Sequence, residues 1–306
     1  MGWVAGVALL LALGVLIHLT LGWDALLAPW AETPPRVLAV ASLLLLASYG
    51  LRTIRIHGYF LPSTSGRFPR TLRLVLVHNL FNNLLPMRTG EASFPILMAR
   101  DFRVPMSHSL PGLLYLRSLD LHFVILLGLG VLAAGQGVAV WIWVLFGLLI
   151  PVPFLAFRGQ RWLIRRIQGK AGRWWTLLRN GLEGLPASPG LFWTTWFWTA
   201  ANWSVKLGVL AWILQAFSPM PFSHALFGTA TGELSSVLPI HGLAGAGTYE
   251  GGVLAGLLPK GIELEAALKA AVNLHLFVLG VSIGAGVVAM LFPLQPSSAT
   301  GSLDDS

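Results

Sequence analysis

Six predominantly apolar stretches dominate this chain: Trp3–Leu21, Val37–Ile56, residues 107–134, Val138–Phe157, Phe192–Phe217 and Leu264–Phe292. Each is long enough to cross the hydrocarbon core of a bilayer, which takes about 20 residues of helix. Lipid offers no partner to an exposed N–H or C=O, so the backbone must satisfy itself internally. An all-α polytopic membrane protein is the expected fold class. Composition agrees: only 10% of residues are charged, where a soluble chain carries about 25%. Thirteen tryptophans suit the aromatic belts of the two membrane interfaces. The first run has no basic residues before it and a poor small-residue cleavage site after it, so it reads as a retained span.

The net charge of +8 raises the question of nucleic acid. The basic residues, however, sit beside apolar spans, which is the positive-inside pattern, and no nucleic-acid partner is expected. The loop at 23–35 holds Asp24 and Glu32 and is read as lying outside. Arg52, Arg55, Arg67, Arg70 and Arg73 are assigned to the next, cytoplasmic loop. Seven basic residues between Arg158 and Arg179 mark a second cytoplasmic segment. There Leu163, Ile167, Trp174, Leu178 and Leu182 fall at helical spacing, as in interfacial amphipathic helices, although a plain basic connector fits the same residues. Both termini are placed in the cytoplasm, and the protein in the plasma or inner membrane. No disulfide or thiolate site is available, since cysteine is absent.

Two further apolar runs are too short to cross. Leu74–Leu85 stops at Pro86, a polar turn Arg88-Thr89-Gly90-Glu91 follows, and the chain returns by Arg100. Pro86 cannot continue a helix, and Gly90 supplies free dihedrals to restart one. Residues 74–100 are therefore expected as a re-entrant hairpin. Phe222–Leu238 stops in the same way at Pro239, followed by the glycine-rich HGLAGAGTYE, and 222–258 is the second hairpin. Pro86 falls 49 residues after Val37, and Pro239 falls 48 after Leu191. With one hairpin opening inward and the other outward, the halves form an inverted-topology repeat whose tips meet near the midplane, as in transporters. The expected organisation is 1–36, first span and outer loop; 37–134, first repeat; 135–190, connecting span and basic loop; 191–292, second repeat; and 293–306, a disordered tail. That amounts to about six full spans and two broken hairpins.

Three segments then stand out: NNLLPMRTGEASFPILMAR, LRSLDLHF and LPIHGLAGAGTYEGGVL. Together they resemble the lysylphosphatidylglycerol synthase transmembrane (flippase-like) family. Its members show N-x-x-L-P-x-R-x-G-E, then an E-R-x-x-D-like segment, then P-x-x-G-G-x-G-x-x-E. The resemblance places Asn82, Pro86, Arg88, Gly90 and Glu91 on the first segment, Arg117 and Asp120 on the second, and Pro239, Gly245, Gly247 and Glu250 on the third. Leu116 stands where an acid is common, and the third segment is longer than the family's. Broken hairpins with paired acids and bases also resemble the DedA-type transporters, which share the function class. Bifunctional members of the first family carry a soluble aminoacyl-transfer domain after the membrane part. The present sequence stops at Ser306, so that enzymatic activity is not expected.

Ionisable groups at membrane depth are costly and mark pairing or function. Arg88 and Glu91 flank the first break; Arg88 suits a phosphate because its planar fork donates two parallel hydrogen bonds, and Glu91 suits a helix start or a pair with Arg88. Arg117 and Asp120 share a helix face three residues apart and can pair. Lys206 is expected in a span, with Glu233 or Glu250 placed to neutralise it. His78, His122, His224, His241 and His275 are scattered and show no metal-binding spacing, and no metal or cofactor is expected. No nucleotide loop or nucleophile elbow is present. The expected function is movement or binding of an anionic phospholipid at Asn82, Arg88, Glu91, Arg117, Asp120, Lys206 and Glu250, with protons as a coupling ion. The alternatives are a membrane-embedded enzyme of lipid headgroups and an accessory scaffold for a lipid-synthesis enzyme.

Overall fold

Proline and glycine cut the apolar runs into the helices that form. The structure is a computed structural model and describes residues 11–15, 17–19, 22–135, 139–236 and 243–291. Among them there is no strand, and the fold is all-α, polytopic and membrane-spanning. Residues 1–10 of the first expected span, Pro239 and the 293–306 tail lie outside the described residues.

The stretch read as an outer loop is helical: α1 spans Trp23–Glu32. Its reason is tertiary. Asn273 donates to the Leu26 carbonyl at 2.7 Å and accepts from Trp30 Nε1 at 2.8 Å, docking α1 against the last helix. Pro35 opens α2 (Pro35–Tyr59), as suits a first-turn position with no N–H to satisfy. Its buried stripe continues through Tyr49, Arg52 and Arg55 to Ile56. Arg52 and Arg55 are therefore helix residues facing the protein, 7% and 2% exposed, and not the cytoplasmic-loop residues that charge counting suggested.

The first broken pair is α3 (Phe68–Leu84), a 3-10 turn at Pro86–Ala92 and α4 (Ser93–Phe102). Leu85 is extended, φ −83° and ψ 135°, as a residue before proline must be. Gly90 is buried in this turn, and a Cβ there would strike the carbonyl oxygen of Phe81 and the Cα of Asn82. Then come α5 (Met106–Ala133), α6 (Val140–Leu149) and α7 (Val152–Ile167), the last two nearly one span across Pro151. α6 buries no side chain, and Trp141, Trp143 and Leu148 point outward. The basic segment folds as the end of α7 and α8 (Arg173–Glu183), separated by Gly169 and Gly172, both with positive φ. Tyr59 donates a hydrogen bond to the Gly184 carbonyl, fastening the end of α8 to the body.

The second half runs α9 (Pro189–Phe217), α10 (Phe222–Ser235), α11 (Thr248–Leu257) and α12 (Leu264–Leu291). α9 and α10 meet at 116°. α10 and α11 pack through small residues: a Cβ on Gly232 would meet Val253, and one on Gly252 would meet Ser235. Close backbone approach of this kind is what holds membrane helices together when burial supplies no drive. α2, α5, the Val140–Gln160 span and α12 are long and apolar enough to cross alone, and bent pairs bring the number to six. The 3-10 turn of the first break lies against Leu243–Gly245 of the second.

Candidate functional site

Because the two breaks touch, the polar side chains on them and on the neighbouring helices converge. Asp120 of α5, 3% exposed, is the hub. Its carboxylate accepts from Arg55 at 2.6 and 3.3 Å, from Arg117 at 3.3 Å and from the Trp203 indole at 2.8 Å. Arg55 also donates to Thr199 at 2.8 Å. Arg117 reaches on to Glu91 at 3.0 Å and to His78 Nε2 at 3.1 Å. On the other side Lys206 and Glu233 pair at 2.6 Å, and Glu250 meets His275 at 2.6 Å. By helical rise Thr199 lies about 15 Å along α9 and Asp120 about 21 Å along α5. In a hydrocarbon core about 30 Å thick both are far from headgroup water.

Some of these groups wall a cavity of about 90 Å³, lined among others by Tyr49, Arg52, Asn79, Asn82, Arg117, Asp120, Lys206, Glu233 and His275. That holds a small polar group with some water and falls far short of a whole lipid. All but one of its cations meet a carboxylate. Arg52 is the exception. Its Nη1 donates to Asn79 Oδ1 at 2.8 Å, its Nε has no partner, and no carboxylate is within ion-pair distance among the described residues. Asn82 Oδ1 and Asn79 Nδ2 are buried and unpartnered beside it. A buried guanidinium with one neutral partner is a costly arrangement, because desolvation is left without its Coulombic return.

The family model for the lysylphosphatidylglycerol synthase TM region matches residues 3–286. The chain belongs to this family. No curated protein and no solved structure matches it. Membership in the lysylphosphatidylglycerol synthase transmembrane-region family ties the chain to membrane lipid metabolism at a coarse level.

Of the residues singled out in the sequence of this family member, Asn82, Arg117, Asp120 and Lys206 line this cavity. Glu91 does not line it but is bonded to Arg117, and Glu250 is bonded to the cavity residue His275. The intrahelical Arg117–Asp120 contact exists at 3.3 Å, yet both partners bind more strongly elsewhere. Lys206 takes Glu233 and not Glu250. Glu250 caps α11 by accepting the Gly247 N–H at 2.8 Å, and Gly245 and Gly247 adopt φ of 82° and 81°, where a side chain would be strained. Pro86 begins the 3-10 turn, and the side chains of Pro86 and Arg88 lie outside the described residues. No three His, Asp or Glu among the described residues gather as a metal would require. Arg52, Arg55, Asn79 and Trp203 were overlooked. The available signal was an Arg-x-x-Arg step that kept the helical register of Ser48 and Tyr49, with no breaker before Phe60.

Proposed function

We propose that this protein binds the phosphate of an anionic phospholipid headgroup in the cavity and carries it between leaflets, leaving the acyl tails in the bilayer. The observation that supports this reading is Arg52: a buried cation, facing the cavity, with an idle Nε and only an asparagine beside it. A phosphodiester supplies both the charge and the acceptor oxygens, and a guanidinium fork receives them in its own plane. Arg117 stands on the same wall as a second donor, and Arg88, on the 3-10 turn with Glu91, is the third candidate. Breaks that meet at the site fit an inverted repeat whose halves rock around it. Positive-inside counting of the basic segments supports a cytoplasmic location for both termini. No enzymatic step is assigned, and a lipid-synthesis enzyme is the fitting source of the cargo.

Proteoliposomes with a leaflet-specific fluorescent phosphatidylglycerol test this directly. Arg52→Ala removes a charge-assisted hydrogen bond, about 1.5–3 kcal/mol, and is expected to weaken headgroup binding about tenfold to a hundredfold. Arg52→Lys recovers only part of that. A folded Arg52→Ala protein that moves the lipid at the wild-type rate refutes the reading, and chemical conversion of the lipid would show an enzyme instead.

A further inference from the structure

The carboxylates at this site are not alike. Asp120 answers to Arg55 and Arg117, Glu91 to Arg117, and Glu233 to Lys206. Glu250 takes a histidine: its Oε1 lies 2.6 Å from His275 Nδ1, with side chains only 4% and 8% exposed. No Lys or Arg is within ion-pair distance of it among the described side chains. Its Oε2 meanwhile holds the Gly247 N–H, so one carboxylate ties the start of α11, just past the second break, to α12. Histidine is the side chain whose charge changes in the physiological range, whereas an arginine partner is always charged.

We propose that the Glu250–His275 pair is the proton site of the carrier, taking up one proton for each anionic headgroup; this rests on the headgroup reading above. The chemistry balances at named atoms. In the neutral imidazole, Nδ1–H donates to Glu250 Oε1, and the lone pair is on Nε2, for which no described residue provides a hydrogen bond. A proton from cavity water adds to Nε2 and takes the pair from a net charge of −1 to 0. Tyr249 of α11 has its ring 4.6 Å from His275, and Tyr49 and Arg52 of α2, Glu233 of α10 and Lys206 of α9 line the same cavity as His275. Lys206 and Glu233 cancel, so the added proton makes the wall that includes Arg52 more positive and favours an anion there. By reciprocity the bound anion favours the proton. Headgroup and proton then move as a neutral combination, on which the membrane potential does no work. A carboxylate needed only to cap α11 would not require a histidine, because glutamine caps as well.

The test uses the full-length protein in phosphatidylcholine vesicles containing fluorescent phosphatidylglycerol and an entrapped pH dye. An imposed pH gradient is expected to change wild-type lipid movement by a factor in the usual coupling range of about 5–150, with accompanying proton flux. Glu250→Gln and His275→Gln are expected to abolish that response and the proton flux in protein that still folds, as size-exclusion fluorescence checks. A gradient response retained in folded Glu250→Gln protein overturns the proposal. A second arm needs no lipid movement: histidine nuclear magnetic resonance of the reconstituted protein, with the signal assigned by its loss in His275→Gln. The His275 signal is expected to respond to pH, and Glu250→Gln is expected to alter that response. An imidazole that fails to titrate overturns the proton site. A titrating His275 in a protein that binds no phosphatidylglycerol supports the proton site and refutes the headgroup reading alone.

Discussion

Asp120→Asn is the sharpest probe of how this site is held together. Asparagine preserves the shape but removes the charge, and wherever its amide nitrogen sits it opposes arginine N–H groups that the carboxylate had accepted. With the nitrogen at the Oδ2 position it faces Arg55 Nη2 and Arg117 Nη1, both at 3.3 Å. Arg117 keeps Glu91, but Arg55, 2% exposed, keeps only neutral acceptors, the amide oxygen at the Oδ1 position and the Thr199 hydroxyl, and has no counter-charge. Stranding one buried charge costs about 3–5 kcal/mol. With an unfolding entropy of about 2.1 cal/mol/K per residue over 306 residues, that lowers the melting temperature by about 5–8 °C. Thermal unfolding of the detergent-solubilised protein, followed by size-exclusion fluorescence, measures the shift. Adding Arg55→Met removes the stranded cation, so the double variant is expected to melt above Asp120→Asn alone, which is the non-additivity expected of directly paired residues. A single variant within about 1 °C of wild type, or a double variant showing the sum of two losses, would refute the assignment of Asp120 as a charge hub.

Two other outcomes are expected from the breaks themselves. Gly90→Ala should abolish folded protein in membranes, because its Cβ meets the backbone of Phe81 and Asn82, which cannot yield as a flexible side chain would; normal expression and melting would contradict the packing. Cysteines at Thr89 and Thr248 should crosslink through a short bifunctional reagent, since the first break lies against the second, while single cysteines at Ser63 and Glu32 should label from opposite sides of the membrane. Folded double variants that never crosslink would separate the two breaks.

Four of the spans and the break at Pro86 were legible because each rests on local chemistry. A run of twenty apolar residues has few alternatives in lipid, and the residue before Pro86 is forced out of the helical region whatever surrounds it. Arg117, Asp120 and Lys206 were legible from depth alone, since a charge far along an apolar span must have a partner or a task. Pairings were not legible. Lys206 chooses Glu233, and Glu250 chooses His275, across helices whose facing edges are set by packing. Arg52 and Arg55 were lost for a different reason: arginines at the end of an apolar run look like the boundary that positive-inside counting seeks. Their i, i+3 step shows the same face as Tyr49 only once the helix is known to continue to Tyr59. Trp23–Glu32 was lost because its acids and Pro29 suggest a loop, whereas Asn273 on a distant helix supplies the bonds that dock it.

The sum of charges explains why one arginine is left over. Among the described side chains the site gathers four permanent cations, Arg52, Arg55, Arg117 and Lys206, and four carboxylates, Glu91, Asp120, Glu233 and Glu250. With His275 neutral the formal sum is zero, but Glu250 directs its charge to His275 and to the cap of α11 and not to Arg52. Arg52 is thus left over by the position of a histidine. When that imidazole takes a proton, the formal sum becomes +1, equal and opposite to a phosphodiester. When it releases the proton, the sum returns to zero and the anion loses its surplus attraction. A carrier must bind on one side and let go on the other, and a permanently unmatched cation would do only the first. In the proposed reading, an unmatched cation whose surplus depends on a neighbouring imidazole does both, with Glu250 passing the change to the second break through the Gly247 N–H.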